Sequence, residues 1–310
     1  MKRPIEKRLI WLNGEIVPLD QARINILSPT SQFGANVFEG IRCYWNEENK
    51  QLYAFRLREH FHRLKNSMKI FRMEDKYSIE EMQQGLIDVI KANEYKEDIA
   101  VRQTVFIDGF GSWMSKGPLG MFIAPIPKPR TSSLTKGLRC AVSSWERISD
   151  KNLSPRVKVG ANYINSRMAQ MEALENGYDS AILMNSQGKI SEGPGSCLFI
   201  VRDGLLITPT VTSSILESIT RETIIKIARE VLNIETIERD IDRTELYICD
   251  EAFLCGSAME IASVTNVDGY TVNNSEVGDI TVQIHKEYLK AVPGQSSEYN
   301  KWLTPVYVEL

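Results

Sequence analysis

The sequence predicts a mixed α/β (α+β) protein of two domains, and three observations carry the prediction. Strand-like apolar runs are interleaved with amphipathic helical stretches, without the regular βα alternation of a doubly wound sheet. The chain has 310 residues, the practical limit of a single core, which favours two domains of ~120 to 180 residues. The segment PIPKPRTSSLTKG opens with three prolines in five residues and continues in Ser, Thr and Lys. That composition favours an extended, solvated path, so residues 126–137 read as a linker between domains at 1–125 and 138–310.

In chain order, Leu9 to Leu12, Asn13-Gly14 and a run to Leu19 read as a β-hairpin, because Asn-Gly supplies the positive φ values of a type I′ turn. Pro18 puts the second strand near an edge. Strands are expected around Ile41 to Tyr44 and Leu52 to Phe55. In LREHFHRLKNSMKIF the residues Leu57, Phe61, Leu64 and Met68 recur at helical period, with Arg58 in the first turn. Ser78 and Glu81 form a capping box for a helix that turns Met82, Leu86, Ile87 and Ile90 inward. Strands follow at Ile99 to Ile107 and Met121 to Ile126. The second half begins with a strand at Leu138 to Val142 and a helix at Asn162 to Glu175 ended by Gly177. Strands near Ser180 to Met184 and Leu198 to Val201, a helix at Arg221 to Leu232, a Val267-Asp268-Gly269 turn and a helix near Val282 to Val292 complete the chain.

Composition removes several function classes. Thirty-seven Lys+Arg against forty Asp+Glu leave a net charge of -3 without a long basic run, which argues against nucleic-acid binding. No apolar stretch approaches a membrane span, and the four apolar residues after the basic amino terminus are too few for a signal peptide. Five scattered cysteines without a CxxC pair fit reduced thiols in the cytoplasm. Of the three histidines, His60 and His62 are i,i+2 on a helix, about 200° apart, and read as polar helix-face residues; no metal site is expected.

Four weaker signals remain. Lys158 in RVKVGANYINS reads by alternation as the outward residue between buried Val157 and Val159. Ser191-Glu192 precede a Gly-Pro-Gly turn and a buried strand. Ser218-Ile219-Thr220 run into a helix start, whose N–H groups and dipole suit a phosphate; by itself Thr220 reads as the N-cap. LCGSAMEI ends a strand on Gly256-Ser257-Ala258, where a ligand could approach the backbone.

FGANVFEGIRCY, FRLREHFHRL, RVKVGANYINS, KISEGPGSCLFIV, ITRETIIKIA and LCGSAMEI resemble, in order and interval, the motifs of fold-type IV pyridoxal 5′-phosphate enzymes, most of all the branched-chain amino acid aminotransferases. The resemblance runs from about Trp11 to the last helix. It implies two α/β domains joined by a short loop, the larger with a pseudo-barrel sheet, and an enzyme of amino-acid metabolism that moves an amino group between an amino acid and a 2-oxo acid such as 2-oxoglutarate. Lys158 matches the catalytic lysine that binds the cofactor aldehyde and shuttles a proton. Glu192 matches the carboxylate on the pyridine nitrogen, Tyr163 the hydroxyl on the ring oxygen, and Arg58 the phosphate-binding arginine. Ile219 and Thr220 amides and Ser257 assist at the phosphate. Phe38, Arg102, Ser257 and Ala258 match substrate-binding positions. A homodimer or higher homo-oligomer is also implied.

The chain departs from the branched-chain pattern at Ala100 and Phe33, where tyrosines are usual, and at Trp113, where a small residue is common. Trp113 either refills the space beside Ala100 or packs against the linker or a partner subunit. A D-amino acid or (R)-amine aminotransferase, or an aminodeoxychorismate lyase, stays open as the alternative.

Overall fold

The computed structural model describes residues 7–130, 134 and 136–307. Its elements are β1 (Leu9–Leu12), β2 (Glu15–Pro18), α1 (Pro29–Phe33), β3 (Asn36–Asn46), β4 (Gln51–Phe55), α2 (Leu57–Ile70), α3 (Ile79–Asn93), β5 (Ile99–Ile107), β6 (Leu119–Pro127), β7 (Leu138–Glu146), α4 (Tyr163–Glu175), β8 (Ser180–Met184), β9 (Cys197–Arg202), β10 (Leu205–Thr208), α5 (Ile219–Lys226), β11 (Thr236–Glu238), β12 (Glu251–Gly256), β13 (Glu260–Val267), β14 (Tyr270–Thr271), α6 (Asp279–Ala291) and β15 (Leu303–Pro305). They form two compact units: Met1–Pro129 with Val157–Ala161 and Lys290–Leu310, and Arg130–Arg156 with Asn162–Leu289.

The first unit is built on a seven-stranded antiparallel sheet in the order β15-β4-β3-β5-β6-β1-β2. Asn13 (φ 52°) and Gly14 (φ 104°) close the β1–β2 hairpin, as Asn-Gly requires for a turn that matches strand twist. On β3, Val37, Ile41 and Cys43 face a core shared with Leu57, Phe61, Leu64 and Met68 of α2 and Met82, Leu86 and Ile90 of α3. The α3 capping box is complete: the Glu81 amide donates to Ser78 Oγ (3.1 Å) and the Ser78 amide to Glu81 Oε2 (2.7 Å).

The second unit carries a mixed sheet in the order β11-β10-β9-β12-β13-β7-β8, with β14 on β13. The pairs β10–β11, β13–β7 and β7–β8 are parallel and the others antiparallel. Ile182, Leu198, Ile200, Ile207, Leu254 and Val264 lie in its core.

Two stretches depart from the expected division at 1–125, 126–137 and 138–310. Residues 157–161 belong to the first unit because Val159 bridges to Val37 and the Phe38 amide donates to the Lys158 carbonyl (2.9 Å). The carboxyl-terminal segment returns there because β15 pairs with β4 and the Val306 amide donates to the Leu52 carbonyl (2.9 Å). β6 extends to Pro127, and residues 131–133 and 135 of the expected linker lie outside the described residues. Among the described residues no helix is long and apolar enough to cross a membrane.

Candidate active site

In the first unit, a tight turn sets Lys158: the Val159 amide donates to the Val157 carbonyl (2.9 Å) across it. Val157 and Val159, 5% and 4% exposed, join the core, and Lys158 between them is half-buried. Its amide donates to Ser67 Oγ (3.2 Å) on α2, and its carbonyl is tied to Phe38. The chain can turn so tightly here because the next-but-one residue is Gly160: a Cβ at that position would come within 2.7 Å of Asn36 Oδ1. The Lys158 ammonium nitrogen stands 4.9 Å from the centroid of the Phe38 ring. Arg102, one cross-strand row away on β5 opposite Gly40, lays its guanidinium 4.1 Å from the same ring centroid. Lys158 and Arg102 thus both lie against the Phe38 ring.

Directly behind Phe38, on the core face of β3, Glu39 is fully buried. Its carboxylate accepts from Arg63 Nε (2.8 Å) and Nη2 (2.6 Å), and His60 Nδ1 lies 2.7 Å from Oε2. Burial opposes ionisation of Glu39, but the charge and hydrogen bonds of Arg63, with those of His60, overcome it and hold the carboxyl at about 2. His60 is lowered as well, because burial outweighs the Glu39 contact that favours its charged form. The expectation that His60 and His62 are both polar helix-face residues is corrected for His60, which is buried, while His62 is exposed. A charged residue at a core-facing position of FEG was the available signal, since a buried carboxylate demands partners.

Arg58 is exposed in the first turn of α2. Its neighbour Arg56 has a different place: it precedes the helix in left-handed conformation (φ 51°), is buried, and pairs with Glu59 at 2.7 Å. Trp113 is 70% exposed and so, within this chain, does not refill the space beside Ala100.

In the second unit Glu192 is the hub. It is buried, and its backbone is pinned to β8 because the Leu183 amide donates to its carbonyl (2.9 Å). Oε1 accepts from Arg147 Nε (2.9 Å) and Nη2 (2.8 Å). Oε2 accepts from the Leu216 amide (3.2 Å), with Cys197 Sγ at 3.7 Å. Arg147 also donates to Asn165 Oδ1 (3.2 Å), which ties the carboxylate to the first turn of α4 where Tyr163 sits. Leu216 leads into α5, whose N-cap is Ser218: its hydroxyl accepts from the Arg221 amide (3.2 Å). The reading of Thr220 as N-cap is therefore corrected. Thr220 lies inside the first turn, its side chain buried, and with Ile219 it contributes amides to the helix N-terminus.

The Gly-Pro-Gly turn is explained by the β9–β12 register, which sets Cys197 opposite Cys255. A Cβ on Gly256 would meet the Gly195 carbonyl at 3.2 Å, so the two glycine turns rest on each other and Ser257-Ala258 form the turn into β13. Glu192, the lead-in to α5 and the end of β12 thus converge. Arg147 and Cys197 at Glu192 were not legible, because both contacts depend on how strands pair and not on any local pattern.

Residues 36–267 match the model of the amino-transferase class IV family, about three quarters of the chain. The chain belongs to the class IV aminotransferases. Relatives of this family member align with it almost end to end. A probable branched-chain-amino-acid aminotransferase of Aquifex aeolicus is 39% identical, with 96% of each chain covered. The branched-chain amino acid aminotransferase of Thermobaculum terrenum in its PLP form superposes with a TM-score of 0.91 at 41% identity, covering 98% of this chain and 100% of that one. The branched-chain aminotransferase of the thermophilic archaeon Thermoproteus uzoniensis, solved with norvaline, gives 0.91 at 41% identity, covering 96% of this chain and 99% of that one. Among the described residues of this family member, no group of three or more His, Cys, Asp or Glu is placed to hold a metal ion.

Proposed function

We propose that this class IV enzyme is a pyridoxal 5′-phosphate-dependent aminotransferase that moves an amino group between a branched-chain amino acid and a 2-oxo acid such as 2-oxoglutarate. The observation that carries the reading is the setting of Lys158: an amine on a core-anchored segment, against an aromatic ring that also bears the guanidinium of Arg102. The names of its relatives favour this reading over the D-amino acid, (R)-amine and lyase alternatives.

The residues present fit the cofactor. Ser191 Oγ and Ser196 Oγ, on either side of Glu192 and the Gly-Pro-Gly turn, are buried without a hydrogen-bond partner in the protein, and buried hydroxyls of that kind suit a polar ligand. Glu192, held by Arg147 and Leu216, would keep a proton on the pyridine nitrogen. Tyr163 would donate to the ring oxygen. Arg58, the Ile219 and Thr220 amides and Ser257 would hold the phosphate. Lys158 would hold the aldehyde and move the proton at the substrate Cα. The bound cofactor would supply an electron sink for the pair left at Cα. Phe38 walls the substrate, Ser257 and Ala258 amides take its α-carboxylate, and Arg102 takes a second carboxylate.

We further propose a homodimer or higher homo-oligomer working in the cytoplasm. Phe110 (83% exposed), Trp113 and Met114 stand out from one loop with Ile26 exposed in the same unit, the kind of apolar surface that a partner covers. All five cysteines are buried thiols outside any disulfide, in keeping with a reducing compartment.

The test is chemical. Borohydride reduction of the cofactor-loaded protein followed by peptide mapping should place the adduct on Lys158, and L-leucine should bleach the bound cofactor's absorption band. An adduct on any other lysine overturns the assignment.

A further inference from the structure

The turn from Val157 to Val159 pairs the Val157 carbonyl with the Val159 amide (2.9 Å) and leaves the Lys158 amide and carbonyl to partners elsewhere in the first unit. The amide donates to Ser67 Oγ on α2 (3.2 Å), and the carbonyl accepts from the Phe38 amide on β3 (2.9 Å). The lysine backbone is thus pinned between one helix and one strand. The buried residues of α2 are Leu57, His60, Phe61, Leu64, Ser67 and Met68. The apolar ones fill the core, and packing alone favours an apolar residue at the other two as well, since a buried polar group costs free energy unless it is hydrogen-bonded. Both exceptions are bonded to the same arrangement. Ser67, 1% exposed, receives the Lys158 amide. His60 meets Glu39, whose two carboxylate oxygens Arg63 of the same helix also holds. Glu39 follows Phe38 in β3, so this ion pair fixes the separation between the helix that takes the amide and the strand that takes the carbonyl.

We propose that Ser67 is a positioning residue for the Lys158 amine, and that Glu39, with Arg63 and His60, keeps Ser67 and Phe38 at the separation this task needs. The inference rests on the reading of Lys158 as the reacting amine. That amine ends a flexible four-carbon stem, and so mobile a stem places its nitrogen only as well as its Cα is placed. A misplacement of about 1 Å is enough to slow a reaction on the order of a hundredfold. The Phe38 ring, 4.9 Å from the ammonium nitrogen, limits the stem from one side, and the Phe38 backbone holds the lysine carbonyl. Ser67 Oγ sets the amide end. Removal of that acceptor leaves the N–H to find water or another oxygen, because an unmet backbone donor is costly, and the lysine Cα moves with it. Ser67 meets the backbone of Lys158 and not its amine, so it acts through position.

The experiment compares the wild type with Ser67→Ala, Ser67→Cys, Glu39→Gln and, as a control for core damage on the same helix, Leu64→Val. Ser67→Cys keeps the side chain's shape while replacing the oxygen by a weak acceptor, so it serves if Ser67→Ala fails to fold. With pyridoxamine 5′-phosphate bound, a form that makes no bond to the lysine, hydrogen exchange of the peptide carrying Lys158 should quicken about tenfold or more in the Ser67 variants and keep its wild-type rate in Leu64→Val. Affinity for pyridoxamine 5′-phosphate should stay within about twofold in all of them, since the lysine takes no part in it. In the half-reaction of the pyridoxal 5′-phosphate-loaded protein with L-leucine, the limiting rate should fall about tenfold or more in the Ser67 variants and in Glu39→Gln, with the half-saturating leucine concentration within about twofold. Leu64→Val should lower Tm and leave that rate in place. An unchanged limiting rate in the Ser67 variants, or a loss that follows Tm across those variants and Leu64→Val alike, overturns the positioning role; a wild-type rate in Glu39→Gln overturns the part given to the ion pair. A wild type whose cofactor band neither L-leucine nor L-glutamate bleaches overturns the aminotransferase reading itself, and the proposal with it.

Discussion

Two arginines illustrate how a single side chain's setting decides its task. Arg147 is buried and commits its guanidinium to Glu192 and Asn165, so it fixes a carboxylate. Arg102 lies on the exposed face of β5 against Phe38, so it can meet a ligand. Glu192→Gln should retain cofactor but slow proton removal at the substrate Cα on the order of 100-fold, about 3 kcal/mol of barrier, since a neutral amide no longer holds the pyridine nitrogen protonated. Stopped-flow half-reactions measure this, and unchanged rates would leave the carboxylate a purely structural group. Arg102→Leu should damage the half-reaction with L-glutamate far more than that with L-leucine, because only glutamate brings a side-chain charge that needs a partner. Equal losses would mean that Arg102 organises the site generally.

At the scale of elements, β3 serves two purposes through its alternation. One face offers Phe38 to the amine and Arg102, while the other buries Glu39 under α2, where Arg63 and His60 hold it. The network fastens the strand that carries Phe38 to the helix that receives the Lys158 amide. Its pH dependence has a definite sign. Glu39 falls from 4.5 to about 2 on folding, so its stabilisation is complete above pH 4.5 and is lost as pH drops through about 2. The window is worth on the order of 3 kcal/mol. Burial lowers His60 as well, which also weakens the fold as acid is added. Denaturant melts between about pH 6 and pH 2 should therefore fall more steeply for the wild type than for Glu39→Gln, and parallel slopes would mean that the ion pair contributes nothing to acid lability.

For the whole molecule, the proposed assembly is tested at the loop of Phe110, Trp113 and Met114. A subunit that buries these side chains against a partner should dissociate when they become polar, so Phe110→Ser with Trp113→Ser should shift the sedimentation equilibrium toward monomer. An unchanged mass would free the loop from that role. The sequence by itself was enough for the mixed α/β class, the hairpin at Asn13-Gly14 and the capped helix at Ser78, because each follows from short-range rules of turn chemistry, capping or periodicity. It also carried the family motifs, which are contiguous strings. Tertiary structure alone decided that residues 157–161 and the segment from Lys290 onward join the first unit, that Arg147 and Cys197 meet Glu192, and that His60 is buried against Glu39. It also set Ala100 between Arg42 and Ile126. These contacts depend on strand register and on the pairing of β15 with β4, which no local periodicity encodes.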